Sequence, residues 1–385
     1  MSGWSDERPG DQRGRAGTAG ERPQKPLPPG WNVRPRGMRQ RAPRGLDVRP
    51  QEARRPPRDR GVRPPRSRRP RRLGRRIGLV LLVLLVALVG LAVWVDSRLN
   101  RVDALPDYEG RPAATPGADW LIVGSDSREG LDESRRNQLG TGQAAGRRAD
   151  TMMLLHIPRG TGKPTLVSLP RDSYVPIPGR GRDKLNAAYA FGGPELLART
   201  VEQVTGIRLD RYMEVGFDGF ASVVESVGGV EVCVDKAMRD PMAGLNVRAG
   251  CQVLDSRQAL AYVRTRAGGR GDLDRVERQQ EFLGALIDKS TSPWVLLNPF
   301  RSIPLLLSGT DAVAVDQAAH VHNLVRFPFA MRDVTSGGGV ATTVPVAGGA
   351  SIAGVGSVVQ WDRPRALALF EALQRDGSVE NLVSR

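Results

Sequence analysis

The sequence predicts an α/β domain with a mixed central β-sheet flanked by helices (an α/β/α sandwich). It also predicts one transmembrane helix ahead of that domain and a disordered N-terminal tail. Three observations carry this expectation. All of the excess positive charge lies before position 77, an uncharged apolar run from Ile77 to Val95 follows it, and short apolar runs then alternate with helical patterns to the end of the chain.

Positions 1–76 contain 23 Arg or Lys against 7 Asp or Glu, and positions 77–385 carry 34 of each sign, so the net charge of +16 belongs to the tail. The tail also holds 13 of the 29 prolines and few aliphatic residues. Such a segment buries too little apolar surface to offset the entropy of ordering, which predicts disorder. A basic, Pro-rich arm suits nucleic acid or anionic headgroups, or serves as a solvated, topology-setting tail. No nucleic-acid partner is expected for the folded domain, which the charge flanking the apolar run places outside the cytoplasm.

Ile77 to Val95 is uncharged and rich in Leu and Val. At about 1.5 Å per residue it nearly matches a hydrocarbon core of roughly 30 Å. Arg71, Arg72, Arg75 and Arg76 precede it and Asp96 follows, which predicts a cytoplasmic N-terminus and an extracytoplasmic domain. A cleaved signal peptide fits poorly, since its basic region would extend from position 1 to position 76 and no A-x-A site follows the apolar run. Residues 96–117 read as a juxtamembrane linker, and 118–385 as the domain.

Within the domain, Trp120–Val123, Met152–Ile157 and Thr165–Leu169 read as buried strands, with a polar loop from Glu129 to Arg147 between the first two. Helices are expected over Pro194–Val204, Asp218–Val227, Ser256–Tyr262, Asp272–Lys289 and Pro364–Gln374. Strand character is expected at Val230–Val234 and within Pro345–Val359. Cys233 and Cys251 lie 18 positions apart, outside the membrane, where thiols oxidise. A bond between them would add about 3 kcal/mol on a chain-entropy estimate, two free buried thiols being the alternative. No His cluster accompanies them, so zinc is not expected.

The chemistry concentrates in two places. On the helix from Asp272, the stripe of Val276, Leu283 and Leu286 faces the core, and Arg275 and Gln279 share its side with Asp272, while Glu277, Glu281 and Asp288 face away. Inward charge requires a partner or a polar ligand. Upstream, AYVRTRAGG places Arg264 and Arg266 two apart, on one side of an extended segment. With Arg275 and Arg278 they put four guanidinium groups between positions 264 and 278, a set suited to an oligophosphate. The second place is the strand ends. LIVGSDSR, RADTMML and SLPRDSYV put Asp126 and Arg128, Arg148 and Asp150, and Arg171 and Asp172 beside successive strands. Aligned strands would bring these to one edge of the sheet, where α/β ligand sites form, and paired carboxylates beside arginines suit a divalent cation such as Mg²⁺. His156, His320 and His322 form no nucleophile–base pattern and read as structural.

Taken in order, GSDSR, R-x-D-T-M, PRD, KLN, Y-V-R-x-R and D-x-x-R-x-x-RQQ resemble the LytR-CpsA-Psr family over about residues 119–286. The resemblance implies a phosphotransferase that moves a phosphoglycan from a polyprenyl-pyrophosphate donor to a peptidoglycan hydroxyl, with membrane lipid as neighbour. By matching position, it implies that Asp126 and Asp150 hold Mg²⁺ against the pyrophosphate. Arg148, Arg171, Lys184, Arg264, Arg266, Arg275, Arg278 and Gln279 would grip the phosphates. Arg171, Asp150 and Asp272 are implied as the catalytic set, with Asp272 orienting the arginines, and the prenyl chain would occupy an apolar tunnel between sheet and helices. No general base for the acceptor hydroxyl is evident, and Asp150 and Asp172 both stay open for that role. The chain departs from the family pattern at Ser173, where Thr is common, and in the GGRG run before Asp272, which makes Arg270 the least transferable position. A pyrophosphatase, or a non-catalytic binder of prenyl-linked glycans, would use the same residues.

Overall fold

The computed structural model describes residues 71–126, 132–139, 148–265 and 272–383, without the side chains of 71–73, 272–274, 276, 277 and 383. The tail expected to be disordered lies outside the described residues up to position 70.

Helix α1 (Arg71–Ser97) begins ahead of the apolar run and ends just after it. Every residue from Gly74 to Leu91 is exposed. This stretch, apolar on all sides, is long and apolar enough to cross a membrane, and only the end of the helix, at Val95, is buried against the domain. The linker is more ordered than expected. It contains strand β1 (Asn100–Val102), and Arg111, its side chain only 8% exposed, donates to Glu202 at 3.0 Å.

Next come β2 (Ala118–Ser125), α2 (Glu133–Leu139), β3 (Ala149–Ile157) and β4 (Thr165–Ser168). The segment read as a polar loop therefore holds a helix, α2. Arg135 fixes it to Asp218 and Glu225, at 2.9 and 3.1 Å, partners that no local pattern discloses. A hairpin of β5 (Tyr174–Ile177) and β6 (Gly181–Lys184) leads into α3 (Leu185–Thr205). That element is two helices joined at Gly192 and Gly193. The second starts at the expected Pro194, and the first, Leu185–Phe191, was not anticipated.

The chain continues through β7 (Arg211–Val215), α4 (Phe217–Ser226), β8 (Val230–Val234), β9 (Met238–Asp240), β10 (Leu245–Val247) and β11 (Gly250–Leu254). Then follow α5 (Ser256–Arg264), α6 (Asp272–Ser290), α7 (Pro293–Leu296), α8 (Pro299–Ala312), β12 (Val313–Asp316), α9 (Val321–Leu324) and α10 (Arg326–Thr335). The last elements are β13 (Val340–Thr343), β14 (Val346–Ile352), β15 (Gly356–Trp361), α11 (Arg363–Gln374) and α12 (Glu380–Val383).

The central sheet is mixed, in the order β1-β12-β7-β2-β3-β4-β13. β2 is parallel to β7 and antiparallel to β3, and β3 is antiparallel to β4. Its middle strands are buried on both faces, which explains their continuous apolar runs. On one face Leu121, Val123 and Leu154 pack against Leu197 of α3 and Phe370 of α11. On the other, Trp120, Ile122 and Leu155 pack against Ile287 of α6 and Met331 of α10.

Cys233 and Cys251 face each other across the antiparallel β8–β11 pair and are joined as a disulfide. Cys251→Ser is expected to lower unfolding free energy by about 3 kcal/mol, measured by denaturant titration, with little change in the site at the sheet edge.

At the sheet end formed by the start of β2, His156 bridges Asp119 through Nδ1 and Asp376 through Nε2, both at 2.9 Å. Burial alone disfavours the charged imidazolium. The carboxylates of Asp119 and Asp376 outweigh it and hold the pKa above the usual histidine value. The stabilisation is complete below about pH 6.5, the unfolded value, and is lost as pH rises through the higher folded value. Thermal stability should therefore fall over that alkaline-going window, and Asp376→Asn should flatten the slope.

Candidate active site

The strand directions put the ends of β2, β4 and β7 and the start of β3 at one end of the sheet. The three charged motifs sit there. Past the end of β2, the Asp126 backbone N–H donates to the Arg148 carbonyl at 2.9 Å, and Asp126 Oδ1 accepts the Arg148 N–H at 2.6 Å. A register shift follows, with Ser125 opposite Ala149 and Gly124 opposite Thr151, so Asp150 falls in a bulge at the sheet edge. From the turn after β4, Arg171 reaches Asp150 at 2.7 Å and Asp172 at 3.4 Å, and Lys184 pairs with the other Asp172 oxygen at 3.0 Å.

The PRD turn is held from several sides. The Asn186 N–H donates to the Arg171 carbonyl at 3.0 Å, the Leu185 N–H to the Ser173 carbonyl at 2.8 Å, and the Val359 N–H to the Asp172 carbonyl at 2.8 Å. Two of the first backbone donors of α3 are thus consumed in fixing this turn. Ser173, the departure from the family pattern, is fully buried and its hydroxyl accepts from Trp361 Nε1 at 2.8 Å.

The arginines of α5 and α6 arrive at the same end by way of Gln279. Its Oε1 accepts from Thr151, next to Asp150, at 3.1 Å, and its Nε2 donates to the Val263 carbonyl at 3.1 Å. Gln279 is therefore a brace between the sheet, α5 and α6, with both ends of its amide engaged. Arg278 donates to the Thr265 carbonyl at 2.7 Å. Arg275 is buried, at 8% exposure, as the inward face of α6 predicts, and Glu281 and Asp288 are exposed. Arg264 corrects the extended reading. It is the last residue of α5, with its guanidinium 4.9 Å from the Phe217 ring at the start of α4, just beyond β7. Helical winding, set by the capping box at Asp255 and Gln258, fixes its direction there. Arg266, Arg270 and Arg128 lie outside the described residues. The backbone of Asp272 opens α6, and its side chain lies outside them too.

The structure thus brings Asp126, Arg148, Asp150, Arg171, Asp172 and Lys184 onto one sheet edge and docks the α6 face bearing Arg275 and Arg278 beside them. Two buried polar atoms here, Ser125 Oγ and Arg278 Nε, lack a hydrogen-bond partner among the described residues. Each such group costs about 1–3 kcal/mol, and a bound anion would relieve it. Ser125 was not singled out from sequence, because a serine at a strand end carries no distinguishing signal. Asp150 is 40% exposed, and only its Oδ1 is engaged by Arg171. Two carboxylates on paired backbone segments, one with an open oxygen, fit a hard cation shared with phosphate oxygens. A groove of about 510 Å³, open to solvent, lies between β4, α6 and α10, with Leu166, Leu283, Met331 and Val334 at its floor and Glu281 and Asp288 at its rim.

Comparison with known proteins follows the same outline. A family model described as the LytR_cpsA_psr family matches residues 103–371. The chain is 51% identical over 296 residues to "Probable cell wall biosynthesis protein LcpB" of Corynebacterium glutamicum, a match covering 77% of this chain and 70% of that protein. It is 39% identical over 186 residues to "Polyisoprenyl-teichoic acid--peptidoglycan teichoic acid transferase TagT" of Bacillus subtilis, covering 46% of this chain and 55% of that one. In structure it resembles the "LytR-Csp2A-Psr enzyme from Actinomyces oris", with a TM-score of 0.55 at 22% identity, over 72% of this chain and 96% of that one, a likeness of fold.

Proposed function

The chain belongs to the LytR-CpsA-Psr family, and on that footing we propose that it moves a phosphoglycan from a polyprenyl-pyrophosphate carrier to a peptidoglycan hydroxyl in cell-wall assembly. The observation that carries this reading is the meeting of Asp126, Asp150 and Arg171, from three separate strand ends, at the edge onto which α6 docks. The names of the relatives support a cell-wall transferase role.

A pyrophosphate is already activated, so transfer needs charge neutralisation and in-line positioning more than a strong base. Arg171 is suited to spread charge on the transferred phosphate, and Arg264 and Arg275 to hold the leaving one. Asp172, with an oxygen on each of Arg171 and Lys184, is a positioning group. The acceptor oxygen attacks the phosphorus bearing the glycan, the bridging P–O bond breaks, and prenyl phosphate departs. The hydroxyl proton passes to water. Asp126 and Asp150 would hold Mg²⁺, which when bound supplies neutralisation of phosphate charge.

The membrane reading agrees with such a donor. Register pairs Asn100 with Ala314, Ala314 with Glu214, and Glu214 with Val123. The chain therefore enters the sheet from α1 level with the end that carries the site. With the Arg-flanked tail in the cytoplasm, the domain lies outside, where peptidoglycan is.

The test incubates the full chain, reconstituted in lipid, with a labelled prenyl-pyrophosphate glycan, Mg²⁺ and peptidoglycan. Label appearing in the peptidoglycan is expected. Release of phosphate without transfer would mean a pyrophosphatase, and retention without turnover a binder.

A further inference from the structure

Helices α7 and α8 leave an apolar ridge in solvent. Trp294 is 77% exposed, Leu297 84% and Phe300 89%, and Leu296 and Ile303 are each about half exposed. From Pro293 to Thr310 the sole charged residue is Arg301. Clusters of this kind on soluble proteins mark an interaction surface, and Trp and Phe beside an Arg is the composition of segments that lie in a membrane interface.

The ridge is tied to the anchor's exit through the far end of α8. At the far end of α8, Asp311 pairs with Arg98 at 3.1 Å, one residue beyond α1. Arg98 in turn lies over the Trp94 ring at 5.5 Å. Gly219 of α4 lies so close to the Ala312 carbonyl that a Cβ there has no room. On the inner side, Val295 is buried and Leu305 packs on the cluster formed by α4, α5 and α6. The outward residues are therefore not a loosely packed core but a face set by a firmly seated pair of helices.

From this geometry we infer that the α7–α8 ridge sits in the outer leaflet of the bilayer that α1 crosses, with Trp294, Leu297, Phe300 and Ile303 inserted at the headgroup–acyl boundary. The inference rests on α1 spanning that bilayer. It makes the domain bound at two points, the anchor and the ridge, and so fixes the sheet edge at a set height over the membrane. A prenyl-linked donor then reaches the site without leaving the lipid, since the anchor's exit and the site share one end of the sheet.

The chain's two cysteines are both consumed in the disulfide, so an introduced cysteine carries a fluorophore uniquely. Full-length Phe300→Cys, Val86→Cys and Lys163→Cys would be labelled with an environment-sensitive dye. Each is then placed in nanodiscs of phosphatidylcholine and phosphatidylglycerol, with and without brominated acyl chains. Position 86 is in the middle of α1, and Lys163 is an exposed residue before β4, at the sheet end away from the site. Several-fold quenching by brominated lipid is expected at 86 and 300 and none at 163. Quenching at 86 but not at 300 would overturn the ridge's insertion and leave the anchor standing. Absence at 86 would sink the anchor and the inference with it. A shielded dye at 300 that ignores bromine and becomes exposed on dilution of the protein would assign the ridge to a second copy of the chain instead.

Discussion

Arg171→Ala is expected to reduce glycan transfer by at least about 100-fold, a loss of roughly 3 kcal/mol of transition-state stabilisation, the scale of other electrostatic catalytic groups. The fold should survive. Arg171 spans two carboxylates at the rim, and Asp150, 40% exposed, is solvated by water once its partner is gone. Partly exposed ion pairs contribute about 0–1 kcal/mol, so the melting temperature should move little. The Arg171 and Ser173 carbonyls that receive the first N–H groups of α3 are backbone atoms and remain in place. Arg171→Lys separates charge from geometry, because it restores the cation without the two-pronged donor and should recover only part of the rate. Transfer retained in the alanine variant would remove this sheet edge from the chemistry.

Asp150→Asn is expected to have the second-largest effect, again roughly 100-fold on transfer, by the same electrostatic scale. The change is isosteric and leaves a carbonyl oxygen for Arg171, so what it removes is charge. If Asp126 and Asp150 share a cation, the concentration of Mg²⁺ needed for half-maximal rate should rise at least about tenfold, as losing one anionic ligand of a sparsely ligated ion requires. Rates measured across a Mg²⁺ titration test this directly. An unchanged Mg²⁺ response with a reduced rate would confine Asp150 to pairing with Arg171. Asp126→Asn serves as the companion, since Asp126 holds the Arg148 backbone N–H on the neighbouring segment.

The long apolar helix, the neutral domain and the order of charged motifs were legible in the sequence because each is a local property. The uncharged run from Ile77 to Val95 has few fates, and a charged residue directly after a buried strand must lie at a sheet edge. The inward face of α6 was legible for the same reason, since helical periodicity alone puts Arg275 with Leu286 and opposes them to Glu281.

Other features depended on distant partners and left no local trace. The loop helix α2 is held by Asp218 and Glu225, which belong to α4, far along the chain. The Asn100–Val102 strand exists because β12, at Val313–Asp316, offers it an edge. Gln279, expected among the phosphate ligands, also joins the sheet to α5, because Thr151 and Val263 meet its amide from opposite sides. Arg264 looked extended beside Arg266 and is the end of a helix, aimed by the capping box that opens α5 at Asp255. The sequence by itself determined which residues carry charge and on which side of each element they stand. Only the tertiary structure decided which of those charges meet, because convergence is set by strand order and register, and these are chosen by packing among residues far apart in the chain.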